Sequence, residues 1–81
     1  MSEPGKFLIF VVEDDDWYRE LVTYNLELNP DYEVMSFANA GDFLKQLERR
    51  PDMVTLDYGL PDMEGAEVLK RIKDYDPDIE V

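Results

Sequence analysis

Two groups of carboxylates are placed where chemistry could be done. Near the N-terminus the apolar run Phe7-Leu8-Ile9-Phe10-Val11-Val12 leads directly into Glu13-Asp14-Asp15-Asp16. In the middle of the chain Met53-Val54-Thr55-Leu56 leads into Asp57. Both runs have strand length, and the unbroken first one reads as a strand buried on both faces, as in a parallel sheet. After Asp57 come the turn formers Gly59, Pro61 and Gly65 and then a helical pattern. Strand, loop and helix in that order put Asp57 at the carboxyl end of its strand, the edge where open α/β sheets bind ligands. Alone, Asp57 also reads as a residue that simply starts a turn. With the two strands parallel and adjacent, however, Glu13, Asp14 and Asp57 converge on one edge. Carboxylates so grouped repel one another and raise each other's pKa values. A hard divalent cation relieves that cost, and all-oxygen ligation suits Mg²⁺.

The elements that must position these groups follow from the pattern. Residues 1–5 read as a loose lead-in and 6–12 as the first strand. Asp15 or Asp16 can cap a helix that runs to about Leu28. Trp17, Leu21, Tyr24 and Leu28 share one face at helical spacing, with Val22 beside them, and read as core packing. Asn29-Pro30 ends that helix, because a residue before proline is pushed out of the helical region. Residues 32–37 predict an edge strand. Asn39-Ala40-Gly41-Asp42 resembles a capping box with Asp in place of Glu. Phe43, Leu44 and Leu47 give the next helix its apolar face, and Pro51 closes it. From Ala66 a third helix carries Val68, Leu69, Ile72 and Tyr75, with Lys70, Arg71 and Lys73 late in it, where they complement the helix dipole. Pro77 stops it, and 78–81 read as the first residues of a fourth strand. The order β-α-β-α-β-α-β implies right-handed crossovers and a parallel sheet with helices on both faces.

Val11-Val12-Glu13-Asp14 with Arg19-Glu20-Leu21, and Asp57 with Leu60-Pro61-Asp62-Met63-Glu64-Gly65, resemble the N-terminal part of a response regulator receiver domain, the phospho-accepting module of two-component signalling. The resemblance covers nearly the whole chain. It implies a three-layer α/β/α flavodoxin-like fold with strand order 2-1-3 and the acidic edge at the switch point. Residues 1–81 would then be a partial receiver, reaching the start of strand four. Asp57 would be the nucleophile that is phosphorylated. Glu13, Asp14 and Asp57, with the backbone carbonyl of Gly59, would hold Mg²⁺, and Pro61 and Gly65 would shape the loop. The implied phosphodonor is a histidine kinase or a phosphotransfer protein, and the implied role is that of a signalling module, not an enzyme. The chain departs from the family pattern in one respect. The family's Ser or Thr at the end of strand four, its Lys at the end of strand five and its aromatic switch residue have no match. Thr55 precedes Asp57 within its own strand, and Lys70 and Lys73 lie on the third helix. Strand three is thus expected to present an open edge, and open edges recruit other strands. Self-association through that edge is expected.

Composition bounds the rest. Eighty-one residues make one domain with a modest core. A formal charge of −12 argues against direct nucleic-acid binding and against anionic membranes. The sequence has no cysteine and no histidine, so disulfides, thiolate ligands and imidazole chemistry are excluded. Met1 to Gly5 shows no signal pattern and the longest apolar run is too short to span a bilayer, so a cytoplasmic protein is expected. Two functional readings compete: a phosphoacceptor, and a receiver-derived interaction and assembly module that works without phosphate. An unrelated metal-dependent phosphatase or nuclease also uses strand-end carboxylates, but here a general base and a basic substrate site are missing.

Overall fold

A computed structural model describes residues 6–81; the expected lead-in at 1–5 lies outside them. Three strands, β1 (Phe7–Val12), β2 (Tyr32–Phe37) and β3 (Met53–Leu56), form a parallel sheet in the order β2-β1-β3. β1 pairs along its whole length with β2, from Phe7 opposite Tyr32 to Val12 opposite Phe37. On its other side β1 pairs with β3 from Ile9 opposite Met53 to Val12 opposite Leu56. The central strand is therefore the continuous apolar run, and five of its six residues are buried. Parallel sheets with both faces covered demand such a run.

Alternate residues of β1 serve different faces. Leu8, Phe10 and Val12 enter the main core with Phe37, Phe43, Leu47, Val54, Val68 and Ile72. This face is covered by α2 (Ala40–Lys45), by the short 3₁₀ turn Leu47–Arg49 and by α3 (Gly65–Tyr75). Phe10, Phe37 and Phe43 meet edge to face, with ring centroids 5.0 to 6.0 Å apart. That arrangement suits the ring quadrupoles.

The opposite face, with Ile9 and Val11, is covered by α1 (Asp16–Glu27), which packs on β1 and β2. Here the expected core stripe is corrected. Trp17 is 72%, Leu21 41%, Tyr24 64% and Leu28 64% exposed. The half-buried side of α1 carries Arg19, Val22, Thr23 and Leu26 instead. Asp15 caps the helix, accepting from the Tyr18 amide at 3.0 Å, and so fixes where the first turn begins. The helix thus bears two stripes, and the more apolar of them faces away from the sheet.

The caps of α2 are also different in detail. Asn39 accepts from the Asp42 amide at 2.8 Å, as a cap should. Asp42, however, bonds the Asn39 side-chain amide at 3.2 Å and does not return to its backbone. The helix ends at Lys45, earlier than Pro51 requires, and continues as a 3₁₀ turn. Arg50, excluded from the helical region by the proline that follows, takes φ 54. α3 begins one residue earlier than predicted, at Gly65. At the C-terminal end, Glu80 forms a single parallel bridge with Met53, and the Val54 amide donates to the Glu80 carbonyl at 2.7 Å. This is where a fourth strand was expected. The described residues contain no helix long and apolar enough to cross a membrane.

Replacing Phe43, which is fully buried, by Ala is expected to cost about 3–5 kcal/mol. Trp17→Ser, on the exposed stripe, should stay within about 0.5 kcal/mol of the parent. Urea denaturation followed by circular dichroism checks both, and a large loss for Trp17→Ser would restore the stripe to the core.

Candidate functional site

The strand pairing continues one residue past each strand end. The Glu13 amide donates to the Phe37 carbonyl and the Asp57 amide to the Val12 carbonyl, both at 3.0 Å. Glu13 and Asp57 therefore leave adjacent strands at the same height. Glu13, Asp14 and Asp57 each place a carboxylate oxygen within 4.8 Å of the others, and Asp14 is the most exposed of them. The structure thus brings together the acidic residues singled out in the sequence.

The loop that carries Glu13 and Asp14 is braced from α1. Arg19 donates to the Glu13 backbone carbonyl at 2.9 Å and to the Asp16 carboxylate at 2.7 Å. The Asp15 amide donates to Glu13 Oε2 at 3.2 Å. Asp15 and Asp16 are thereby occupied as cap and ion-pair partner and stay outside the cluster. Partial burial pushes the Glu13 carboxyl above its usual range; the Asp15 amide opposes this, and the neighbouring Asp57 and Asp14 carboxylates add to it. Asp57 moves the other way. The Gly59 amide, 2.9 Å from Oδ1, holds it ionised below the usual range against some desolvation, and hydrogen bonds with Glu13 and Asp14 act in the same direction. Within the cluster, then, a proton favours Glu13 and the charge favours Asp57.

The loop after Asp57 has an exposed surface and few inward anchors. Leu60 is buried, and Pro61 lies exposed in the bend. Gly65 is a glycine for steric reasons: a Cβ there would lie 2.3 Å from Tyr58 Cγ and 2.7 Å from Tyr58 Cα. Asp62 accepts from the Ala40 amide and the Gly41 amide, both at 2.9 Å. Those two bonds hold its carboxylate ionised below the ordinary range. In the sequence Arg19 and Asp62 stand only as parts of longer motifs. Their brace and tether are hydrogen bonds to backbone groups, and for Asp62 the partners are more than 20 residues away. Neither contact has a local sequence signal.

On the α1 side of the sheet, a groove of about 280 Å³ runs up to Glu13 and Asp57 between Val11, Tyr18, Val22 and Thr55. Thr55 lines this groove from within β3. Lys70 pairs with Asp74 at 3.0 Å, and Lys73 donates to the carbonyls of Ile79 and Pro77. Both lysines are engaged on the α3 side.

Residues 9–81 match the response regulator receiver domain. The chain belongs to the response regulator receiver family. Among its relatives, the transcriptional regulatory protein CssR of Bacillus subtilis is 39% identical over 75 residues, 93% of this chain and 33% of that protein. A protein-glutamate methylesterase/protein-glutamine glutaminase of Koribacter versatilis is 42% identical over 66 residues, 79% of this chain and 18% of that enzyme. The solved receiver domain of Thermotoga maritima CheB superposes with a TM-score of 0.80 at 26% identity, over 91% of this chain and 57% of that one. The receiver described here therefore spans a third or less of these two curated relatives and just over half of that solved domain. Its flavodoxin-like sheet order and its place in two-component signalling follow from this membership.

Two outcomes test the loop. Gly65→Ala must displace Tyr58, and overpacking of this kind costs about 1–3 kcal/mol; amide chemical shifts of 57–59 should move with it. The pH dependence has a definite sign. A depressed carboxyl in the folded state contributes stability that is complete above the unfolded aspartate pKa of about 3.9 and is lost as pH falls through the folded value. Asp62→Asn should therefore flatten the acid limb of a melting-temperature profile below about pH 4.

Proposed function

We propose that this receiver accepts a phosphoryl group on Asp57. The observation that carries the reading is geometric: Asp57 stands at the carboxyl end of β3 with an oxygen within 4.8 Å of those of Glu13 and Asp14, and the Gly59 amide donates to its Oδ1 at 2.9 Å, which favours the anionic form. An anionic carboxylate is a competent nucleophile toward phosphorus. Asp57 would form an acyl phosphate, and the leaving group would depart from the donor with the bonding pair. The implied donor is a histidine kinase or phosphotransfer protein, in keeping with the family. Family membership and the formal charge of −12 both support a protein phosphodonor over a nucleic-acid ligand, and a cytoplasmic setting fits that donor.

The donor set fits Mg²⁺. Grouped carboxylate oxygens are hard ligands, and three of them gathered within 4.8 Å repel one another in a way that a cation would relieve. Glu13, Asp14 and Asp57 would hold the ion with the carbonyl of Gly59; bound there, it would supply charge neutralisation for the phosphoryl oxygens. The chain's own residues do the remainder. Arg19 fixes the backbone that presents Glu13, and the Gly59 amide orients Asp57. Gly65 admits Tyr58, and Pro61 stiffens the bend between them.

Intact mass after incubation with a small-molecule phosphodonor and Mg²⁺ tests this. One phosphoryl group should be gained, with none gained by Asp57→Asn or when Mg²⁺ is chelated. No gain by folded protein would sink the reading.

A second reading, an interaction module independent of phosphate, is favoured by the outer edge of β3. Beyond the Glu80 bridge, Thr55 and Leu56 have no strand on that side among the described residues. Self-association through this edge should appear as a concentration-dependent mass in sedimentation equilibrium, unaffected by Asp57→Asn. A single monomer mass across the range would remove it.

A further inference from the structure

The loop between Asp57 and Gly65 is held at four places, one of them Met63, which packs half-buried against the core. Leu60 is buried in the core, Tyr58 lies against Gly65, and Asp62 reaches across the carboxyl edge of the sheet to α2. The Asp62 contact is the one made through hydrogen bonds to the backbone of α2. Both oxygens of Asp62 are used, Oδ1 by the Ala40 amide and Oδ2 by the Gly41 amide. The fit is close: a Cβ on Gly41 would lie 3.4 Å from Asp62 Oδ2. The anchor itself is firm, because Ala40 and Phe43 are both fully buried in the core. Nor does α2 depend on Asp62 for its start, since Asn39 already caps it through the Asp42 amide. What Asp62 adds is a fixed distance between α2 and the loop. That loop contains Gly59, whose amide holds Asp57 Oδ1.

We propose that Asp62 is a positioning residue for the Asp57 pocket, tethering the 58–64 loop to the first two amides of α2 so that Gly59 stays in place beside Asp57. The proposal rests on Asp57 being the phosphoacceptor. Without the tether the loop keeps its apolar contacts through Tyr58, Leu60 and Met63 but loses its hydrogen bonds to α2, and Gly59 samples positions in which neither its amide nor its carbonyl faces the carboxylates. A bidentate acceptor is required: an amide side chain offers one oxygen to two N–H donors and turns an NH₂ group toward the second.

The test uses the 81-residue chain with Asp62→Ala, Asp62→Asn and Asn39→Ala. Hydrogen exchange of the amides at 58–60 reads the tether without metal. Calorimetric Mg²⁺ titration and the rate of phosphoryl gain from a small-molecule donor read the pocket. Asp62→Ala should speed exchange in the loop and weaken Mg²⁺ binding by about two- to tenfold each, the factor that corresponds to a lost hydrogen bond. Asp62→Asn should fall between it and the parent, and it serves in place of Asp62→Ala if that variant does not fold. Asn39→Ala, which weakens the same helix start by another route, should leave the loop and Mg²⁺ affinity unchanged. Equal losses for Asn39→Ala and Asp62→Ala would reduce Asp62 to a helix cap and overturn the proposal, as would unchanged loop exchange. A parent chain that neither binds Mg²⁺ nor gains a phosphoryl group overturns the phosphoacceptor reading and the pocket role with it; faster loop exchange in Asp62→Ala would then identify the tether as structural only.

Discussion

The parallel register between β1 and β3 is the constraint on which the rest depends. With Val12 opposite Leu56, the next residue of each strand carries a carboxylate on the same edge. A slip of one residue would turn every side chain of β3 to the other face. Val54 would leave the core, and Asp57 would no longer stand level with Glu13. The burial of Leu8, Phe10 and Val12 on one face and of Ile9 and Val11 on the other makes any other register costly. The apolar interior thus fixes a polar arrangement at its rim, and fixes it more firmly than the rim groups could themselves.

Those rim groups are in tension. Like charges are gathered where the sheet ends, and the protein answers with backbone donors more than with side-chain cations. Gly59 serves Asp57, Asp15 serves Glu13, and Ala40 and Gly41 serve Asp62. The nearest guanidinium, that of Arg19, is spent on the Glu13 carbonyl and on Asp16 and not on the cluster. The result is a concentration of negative potential that is shaped but not cancelled, the condition under which a small hard cation binds best.

What the sequence made legible was whatever rests on local pattern. The unbroken run at 7–12 reads as a strand buried on both faces of a parallel sheet, and the abrupt change to acids at Glu13 and Asp57 marks the carboxyl edge. The order 2-1-3 and the role of the acids came from resemblance to a family. Contacts that cross the fold stayed hidden. No pattern in Leu60-Pro61-Asp62 points to the amides of Ala40 and Gly41, and no pattern in Gly65 shows that Tyr58 lies over it. The face of α1 was misread for a related reason. Periodicity ranks faces by hydrophobicity, but the face that meets the sheet here includes Arg19 and Thr23, which no hydrophobic ranking selects. A helix that covers a small apolar surface can do so with the stem of an arginine.

The position of Trp17 has a spectroscopic consequence. It is the single tryptophan of the chain, and it stands in the first turn of α1 with most of its ring in water. Its emission will therefore be red-shifted in the native state and will change little when the core melts. The indole takes no part in the phenylalanine cluster that holds the sheet and helices together. This chromophore is therefore a poor witness to unfolding, and melting of the core has to be followed by another signal.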